Sequence, residues 1–313
     1  MTVAVAIALY NGERFIEEQL ESIRIQTKAP DRVVMCDDGS TDNTVEKVKA
    51  YISKYDLQET WHLVINEKNL GYIKNFYSAM SQCEEDIIFL CDQDDIWKAD
   101  KIERMMAVME KRENINLLSC KNGIIDGDGN DIKSVMHKES KESLSLNTVS
   151  VKDIMRAYRW PGMVMCIRKD FFDSIYDSIA NYAIPHDLAF AICAADKGSF
   201  YEYDYVGAYH RRHDNNTAKE EHRISKLLDY ERKIEEIKET SRQLNCIIDA
   251  DLSIQESSYG LIKYKLKYLQ ERKSCLQGKR LGALVNLYKN DREQMFRMAS
   301  FLCDIWIVMF GKY

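Results

Sequence analysis

The feature that most constrains this chain is an alternation in its first 120 residues. Short apolar runs take turns with longer segments of helical spacing. Val3–Leu9 is apolar throughout, the pattern of a strand covered on both faces. The segment 13–26 then puts Ile16, Leu20 and Ile23 on one helical face. Further strands are predicted over 32–36, 61–65, 86–91 and 115–120. Helices are predicted over 73–81 and 98–111, and through Val45, Val48 and Ile52, where Ser40 or Thr41 is placed as the cap. Such an order builds an α/β fold, a mainly parallel sheet with helices on both faces. Ligands bind such sheets beyond the carboxyl ends of the strands.

The polar stretch from the turn cluster at Asp126–Asn130 up to Ser150 is predicted as loop. All three prolines precede residue 186. From Ala218 onward Glu, Lys, Leu and Ile dominate, so that part is predicted as helices, with the boundary near 217. A chain of 313 residues suits one large domain, 1–217, with a helical appendage, 218–313. Hydrophobic residues at 45% and charged residues at 30% supply a sizeable core and exclude wholesale disorder. A net charge of −6 gives no footprint for nucleic acid. Nine scattered cysteines, odd in number and without a C-x-x-C pair, argue against zinc and disulfide frameworks and for a reducing compartment. The N-terminus reads as a strand and not as a signal peptide, and no apolar run approaches the ~20 residues of a membrane span.

Four polar clusters fall at predicted strand ends. They are Tyr10-Asn11-Gly12-Glu13, Asp37-Asp38-Gly39-Ser40-Thr41-Asp42, Asn69-Leu70-Gly71 followed by Lys74-Asn75, and Asp92-Gln93-Asp94-Asp95 before Ile96-Trp97. In a parallel sheet all four meet at one edge. Asp-Gly-Ser alone is an ordinary turn. Three carboxylates within four residues repel unless a cation neutralises them, and a hard divalent ion suits such oxygens. The bland alternative is a solvated acidic turn that caps the next helix.

These motifs, in this order and at this spacing, resemble family 2 glycosyltransferases of the GT-A (Rossmann-like) fold. The Asp-Gln-Asp-Asp-Ile-Trp form is most similar to bacterial rhamnosyltransferases of cell-surface polysaccharide synthesis. The resemblance covers about residues 1 to 217. It implies that Leu9, Tyr10 and Asn11 line the base and ribose pocket, that Asp38 contacts the base, and that Asp37 supports the turn. Gly71, Lys74, Asp92 and Gln93 fall on the nucleotide-sugar side, with Asp92 meeting ribose or metal-bound water. Asp94 matches the metal-binding carboxylate of the D-x-D motif, for Mn²⁺ or Mg²⁺.

Gly162 and His186 fit the acceptor side, and Asp187 matches the catalytic base. Asp187 also suits an ordinary helix start, where the dipole favours a carboxylate. In Tyr209-His210-Arg211-Arg212-His213-Asp214-Asn215-Asn216, His213 matches the family's metal-side histidine, while His210 stands where an arginine is usual. The two arginines there supply positive charge for a diphosphate.

The implied reaction is inverting transfer of a sugar from a nucleotide diphosphate to a hydroxyl of a lipid-linked oligosaccharide or polysaccharide acceptor. The implied donor is dTDP-β-L-rhamnose, with a UDP-sugar as the alternative. A metal-dependent nucleotidyltransferase would carry a Gly-rich basic loop after the first strand, and a dehydrogenase a G-x-G-x-x-G; both are missing. A non-catalytic binding module would not need Asp38, Asp94 and Asp187 together.

The tail from 260 to 313 carries 11 Lys/Arg against 4 Asp/Glu, and Met298–Phe310 is apolar but for Asp304. Two readings stand open for it. One is an interfacial helix on an anionic membrane, which places a cytoplasmic enzyme at the inner face of the plasma membrane. The other is a helix packed on the catalytic domain or at a homodimer contact.

Overall fold

The structure, a computed structural model, describes residues 1–132, 145–213, 228–291, 295 and 297–311. β1 (Val3–Leu9), β2 (Arg32–Asp37), β3 (Trp61–Ile65) and β4 (Ile87–Cys91) lie parallel in the order β3-β2-β1-β4. α1 (Ile16–Arg24), α2 (Thr44–Lys54) and α3 (Tyr72–Ser81) connect them. Consecutive residues of β1 and β4 are buried, so both faces of the sheet are covered. Val3, Val5, Ile7 and Leu9 join Ile16, Leu20 and Val48 in one core. Ala4 and Ala6 point to the opposite face, and their small size lets α3 lie close to β1.

Three helix starts fall later than the sequence expectation; the helix predicted over 98–111 begins at Lys101, with Asp100 at its N-cap. α1 begins at Ile16 because the Gly12 carbonyl takes the amides of Phe15 and Ile16, each at 3.1 Å, and holds 13–15 in a turn. α2 begins at Thr44 with Asn43 at its N-cap, so neither Ser40 nor Thr41 caps it. The Ser40 hydroxyl instead donates to Asp37 and accepts from the Asn11 amide at 2.9 Å.

β5 (Ile96–Trp97), α4 (Lys101–Lys111), β6 (Leu117–Ile125), β7 (Leu146–Thr148) and α5 (Val151–Arg156) follow. Next come β8 (Met165–Arg168), α6 (Lys169–Ile179), α7 (His186–Asp196) and β9 (Phe200–Arg211). β8 runs antiparallel between β4 and β6, β6 runs parallel to β9, and β5 and β7 pair antiparallel with β9. The nine-stranded sheet is therefore mixed. β6 continues to Ile125, past its predicted end, because polar Lys121 is paired with Asp204 of β9 while the register slips there. β7 falls where loop was predicted; main-chain pairing makes it, not an apolar pattern. β1 neighbours β2 on one side and β4 on the other, so chain order reverses at β1 and a crevice opens at the carboxyl ends.

The chain divides into two compact units. The first holds 1–149, 160–181 and 185–212, and the second 150–159, 182–184 and 213–313. The boundary predicted near 217 lies outside the described residues, as do Asp214, Asn215 and Asn216.

The second unit, among the described residues, is helical. It contains α5, α8 (Tyr230–Asp249), α9 (Glu256–Gln277), α10 (Leu281–Asn290) and α11 (Met298–Phe310). Asp304 of α11 is fully buried. It accepts from Arg272 of α9 at 2.6 and 2.8 Å and from the Tyr288 hydroxyl of α10 at 2.8 Å. One carboxylate thus ties three helices. No helix among the described residues is long and apolar enough to cross a membrane.

Removing that carboxylate strands a buried guanidinium. Asp304→Ala is expected to cost about 3–5 kcal/mol, and Asp304→Asn less, since its amide oxygen still accepts a hydrogen bond. Urea unfolding of the full chain followed by far-UV dichroism reads this; unchanged unfolding of Asp304→Ala would refute it.

Candidate active site

Backbone pairing sets the site. Leu9 lies opposite Asp37 and Ile7 opposite Cys91, so the turns after β1, β2 and β4 leave the sheet side by side. The Asp37 carboxylate takes the amides of Gly39 and Ser40 at 3.1 and 2.9 Å and closes its own turn. Asp38 is 2% exposed, and its carboxylate faces the 66–71 loop. It accepts from Asn66 Nδ2 at 3.0 Å, the Leu70 amide at 2.7 Å and the Gly71 amide at 2.8 Å. Most of its acceptor capacity is thus spent on protein. Gly71 has φ +82°, a conformation that favours glycine.

Buried Asn75 completes this corner. Its amide donates to the carbonyls of Leu9 and Cys36 at 3.2 and 2.8 Å and accepts from Asn66 at 2.9 Å. Asn75 stands in one of the sequence motifs, but only its contacts reveal the role. Tyr10 and Tyr72 are each 48% exposed, and Lys74 is exposed beside them. Asn11, at φ +48°, takes the Thr41 amide at 2.8 Å.

Gln93 ties β1 to β4. Its amide accepts from the Tyr10 N–H and donates to the Tyr10 carbonyl, both at 2.9 Å. A Cβ on Gly12 would collide with it, so the glycine makes room for this clamp. The side chain assigned to the nucleotide sugar is committed to the protein backbone.

The acidic turn after β4 is held from behind. Asp95, fully buried, accepts from the Arg211 amide at 2.9 Å and faces His210 Nδ1 at 3.2 Å. The partner of His210 is therefore Asp95. Arg211 is also fully buried. Its Nε donates to the Asp94 carbonyl at 2.9 Å and its Nη1 to the Gly127 carbonyl at 3.2 Å, while Nη2 pairs with Glu18. Arg211 thus positions the acidic turn, and its charge is not offered to a diphosphate as the sequence suggested.

Burial, then the charges of Asp95 and Asp94, push the Asp92 carboxyl well above the usual carboxylate range. Asp187 contributes to the same rise, so α7 brings its carboxylate within electrostatic reach of the β4 end. Burial also raises Asp95. Burial opposes protonation of His210, but the hydrogen bond to Asp95 and the charges of Asp95, Asp92 and Asp94 outweigh it and raise its pKa.

Asp187 is the second residue of α7, half-buried, with Oδ1 accepting the Leu188 amide at 2.8 Å. His186 is 6% exposed and packs on Phe76 with ring centroids 4.1 Å apart. Neither ring nitrogen has a hydrogen-bond partner among the described residues, and burial lowers its pKa, keeping the ring neutral. A Cβ on Gly162 would lie 2.6 Å from His186 Nε2, so these two acceptor-side candidates are in contact and Gly162 leaves room for the ring.

Sequence reading missed Lys101. Fully buried, it donates to the Met163 carbonyl at 2.7 Å and stands 3.4 Å from the Trp97 ring centroid. It bridges α4 to the short 3-10 turn Gly162–Val164. A lysine on the apolar face shared by Ile102, Met105 and Met109 was the available signal.

Among the described residues no group of three or more His, Cys, Asp or Glu is arranged to hold a metal. His213 belongs to the second unit and is half-buried. Asp92 and Asp94 still fit a hard divalent ion that draws most ligands from water and phosphate, since Asp92 is crowded by like charge that a cation would relieve. All nine cysteines are free.

A family model described as glycosyl transferase family 2 matches residues 4–171. Among curated proteins, the chain is similar to the dTDP-rhamnosyl transferase RfbG of Shigella flexneri, 38% identical over 105 residues, 31% of this chain and 34% of that one. The chain spans 66%, 35% and 41% of the lengths of the first curated relatives it matches. Among solved structures, S. aureus TarS 1-349 in complex with UDP-GlcNAc aligns with a TM-score of 0.60 at 18% identity, over 92% of this chain and 81% of that one. The mannosyltransferase PcManGT of Pyrobaculum calidifontis, in complex with GDP-Man and Mn²⁺, aligns with a TM-score of 0.57 at 13% identity, over 99% and 86%. These likenesses show the GT-A fold.

The His210–Asp95 pair makes a signed pH prediction. Both pKa values are raised in the folded state, so the folded chain binds these protons more tightly. The His210 contribution is whole below about pH 6.5 and is lost as pH climbs through the raised value. Stability without divalent ions is therefore expected to fall as pH rises above that point, and His210→Gln to flatten the slope. Urea unfolding between about pH 6 and 9 in EDTA tests this; parallel slopes for both proteins would count against it.

Proposed function

The chain belongs to glycosyl transferase family 2, and on that premise we propose that it moves a sugar from a nucleotide diphosphate to a saccharide hydroxyl with inversion at the anomeric carbon. The observation that supports this reading is the acidic turn that Arg211 and His210 hold at the carboxyl end of β4, inside the stretch that matches the family, with Asp187 at the start of α7. A base from one side and a diphosphate-facing turn from the other leave the sugar between them. Tyr10 after β1 and Tyr72 and Lys74 in the first turn of α3, all exposed, suit the base and the phosphates.

Asp187 takes the proton of the acceptor hydroxyl as its oxygen attacks the anomeric carbon, and the bond to the diphosphate breaks on the opposite side. The hydrogen bond from the Leu188 amide to Oδ1 orients the carboxylate. A divalent ion held by Asp94, with Asp92 beside it, would stabilise the negative charge on the leaving diphosphate. Arg211 and His210 keep the turn that carries both carboxylates in place. The likeness to the Shigella enzyme supports dTDP-rhamnose as donor. A UDP-sugar is the second reading, supported by the UDP-GlcNAc complex of the TarS fold relative. The acceptor we assign is lipid-linked or polymeric saccharide; the free apolar face of α11 suits one presented at a lipid surface.

Two variants separate the roles. Asp187→Asn is expected to keep affinity for the nucleotide diphosphate while transfer falls roughly 10²–10⁴-fold. Transfer to a synthetic glycoside acceptor, beside calorimetry, reads both; transfer within threefold of wild type would remove Asp187 as the base. Asp94→Asn is expected to weaken Mn²⁺-supported nucleotide diphosphate binding at least tenfold, about 1.4 kcal/mol. Equal calorimetric affinities in Mn²⁺ would refute that assignment.

A further inference from the structure

α11 has two unlike sides. Asp304, Ile307 and Val308 are buried. Met298, Leu302, Trp306, Met309 and Phe310 are exposed at 58, 57, 40, 54 and 61%. At ~100° per residue these five fall within about a third of a turn. A continuous apolar arc of this kind marks a surface that something covers.

Length and charge select the cover. The helix has 13 residues. That is ~20 Å, well short of the ~30 Å hydrocarbon core of a bilayer. The buried Arg272–Asp304–Tyr288 link also ties α11 to its own unit, so it can lie along a surface but not pass through one. Residues 260–313 carry 11 Lys/Arg against 4 Asp/Glu. Of these charges, Asp304 is buried and neutralised by its partner Arg272, so their pairing leaves the basic excess unchanged. A second copy would set this positive charge against itself. An anionic lipid surface is complementary to both the charge and the apolar arc. A tryptophan in the arc suits the headgroup boundary.

We propose that α11 lies flat in the interface of an anionic lipid bilayer, with Met298, Leu302, Trp306, Met309 and Phe310 inserted and the basic side chains of the second unit on the headgroups. The arc is the docking surface, and Asp304 is the internal anchor that keeps it turned outward.

The chain carries its own probe. Trp61, Trp97 and Trp160 are 5, 2 and 3% exposed, so Trp306 is the tryptophan open to a lipid quencher. The full chain is expected to sediment with phosphatidylglycerol vesicles at low salt, to release in high salt, and to bind phosphatidylcholine vesicles at least tenfold more weakly. Brominated phosphatidylglycerol should quench part of the tryptophan emission, and Trp306→Phe should abolish that part. Leu302→Glu with Met309→Glu, both on the exposed arc, should lower vesicle partition at least tenfold without changing far-UV dichroism. No sedimentation with phosphatidylglycerol would overturn the proposal, as would an unquenched bound chain or undiminished binding of the double variant. Self-association that the double variant removes, without lipid binding, would assign the arc to a second copy and equally overturn it. None of these readouts uses the active site, so they stand or fall apart from the sugar-transfer reading.

Discussion

The site depends on a buried polar lock behind its acidic turn. Asp92, Asp94 and Asp95 crowd three carboxylates into one strand end, which self-repulsion would splay apart. Arg211 and His210, at the end of β9, hold that turn through the Asp94 carbonyl and the Asp95 carboxylate. The cost of burying these charges is offset only because each meets a partner of opposite sign or a backbone dipole. One carboxylate of the three is thereby spent on structure, and two remain on the side where chemistry is proposed.

A division of labour runs through the rest of the site. Asp38 and Gln93, which the resemblance placed on the nucleotide side, hold backbone, as do Asp37, expected to support its turn, and Asn75. Asp38 shapes the 66–71 loop, Gln93 clamps β1 to β4, and Asn75 joins the ends of β1 and β2. Such cross-ties are what a preorganised site needs, since loop backbone left unpaired in a buried corner would lose hydrogen bonds it cannot recover. Tyr10, Tyr72 and Lys74 are exposed on this rigid frame.

The second unit uses the same device for another end. The Asp304–Arg272 pair, joined by Tyr288, replaces what would otherwise be apolar packing between α9, α10 and α11. A buried ion pair adds less stability than hydrophobic packing, but it specifies orientation. Here it decides which side of an apolar helix turns inward.

Much of this was determined by the sequence alone. Continuous apolar runs such as Val3–Leu9 and the helical spacing of Ile16, Leu20 and Ile23 set the alternating strands and helices, because burial of apolar surface dominates and its period is local. The four strand-end clusters, expected at one edge of a parallel sheet, lie together at its carboxyl edge for the same reason. Tertiary structure decided what periodicity cannot encode. β7 and the end of β6 exist through pairing with β9, a partner far along the chain. Ser40 looked like a helix cap but serves Asp37 and Asn11, since a short polar side chain takes whichever buried donor or acceptor comes within reach. Arg211 looked like a phosphate ligand and Asp304 like a break in an apolar run, because charge reads as exposure until a partner is seen. Both partners, Glu18 and Arg272, lie far off in sequence, and only folding brings them within hydrogen-bond distance.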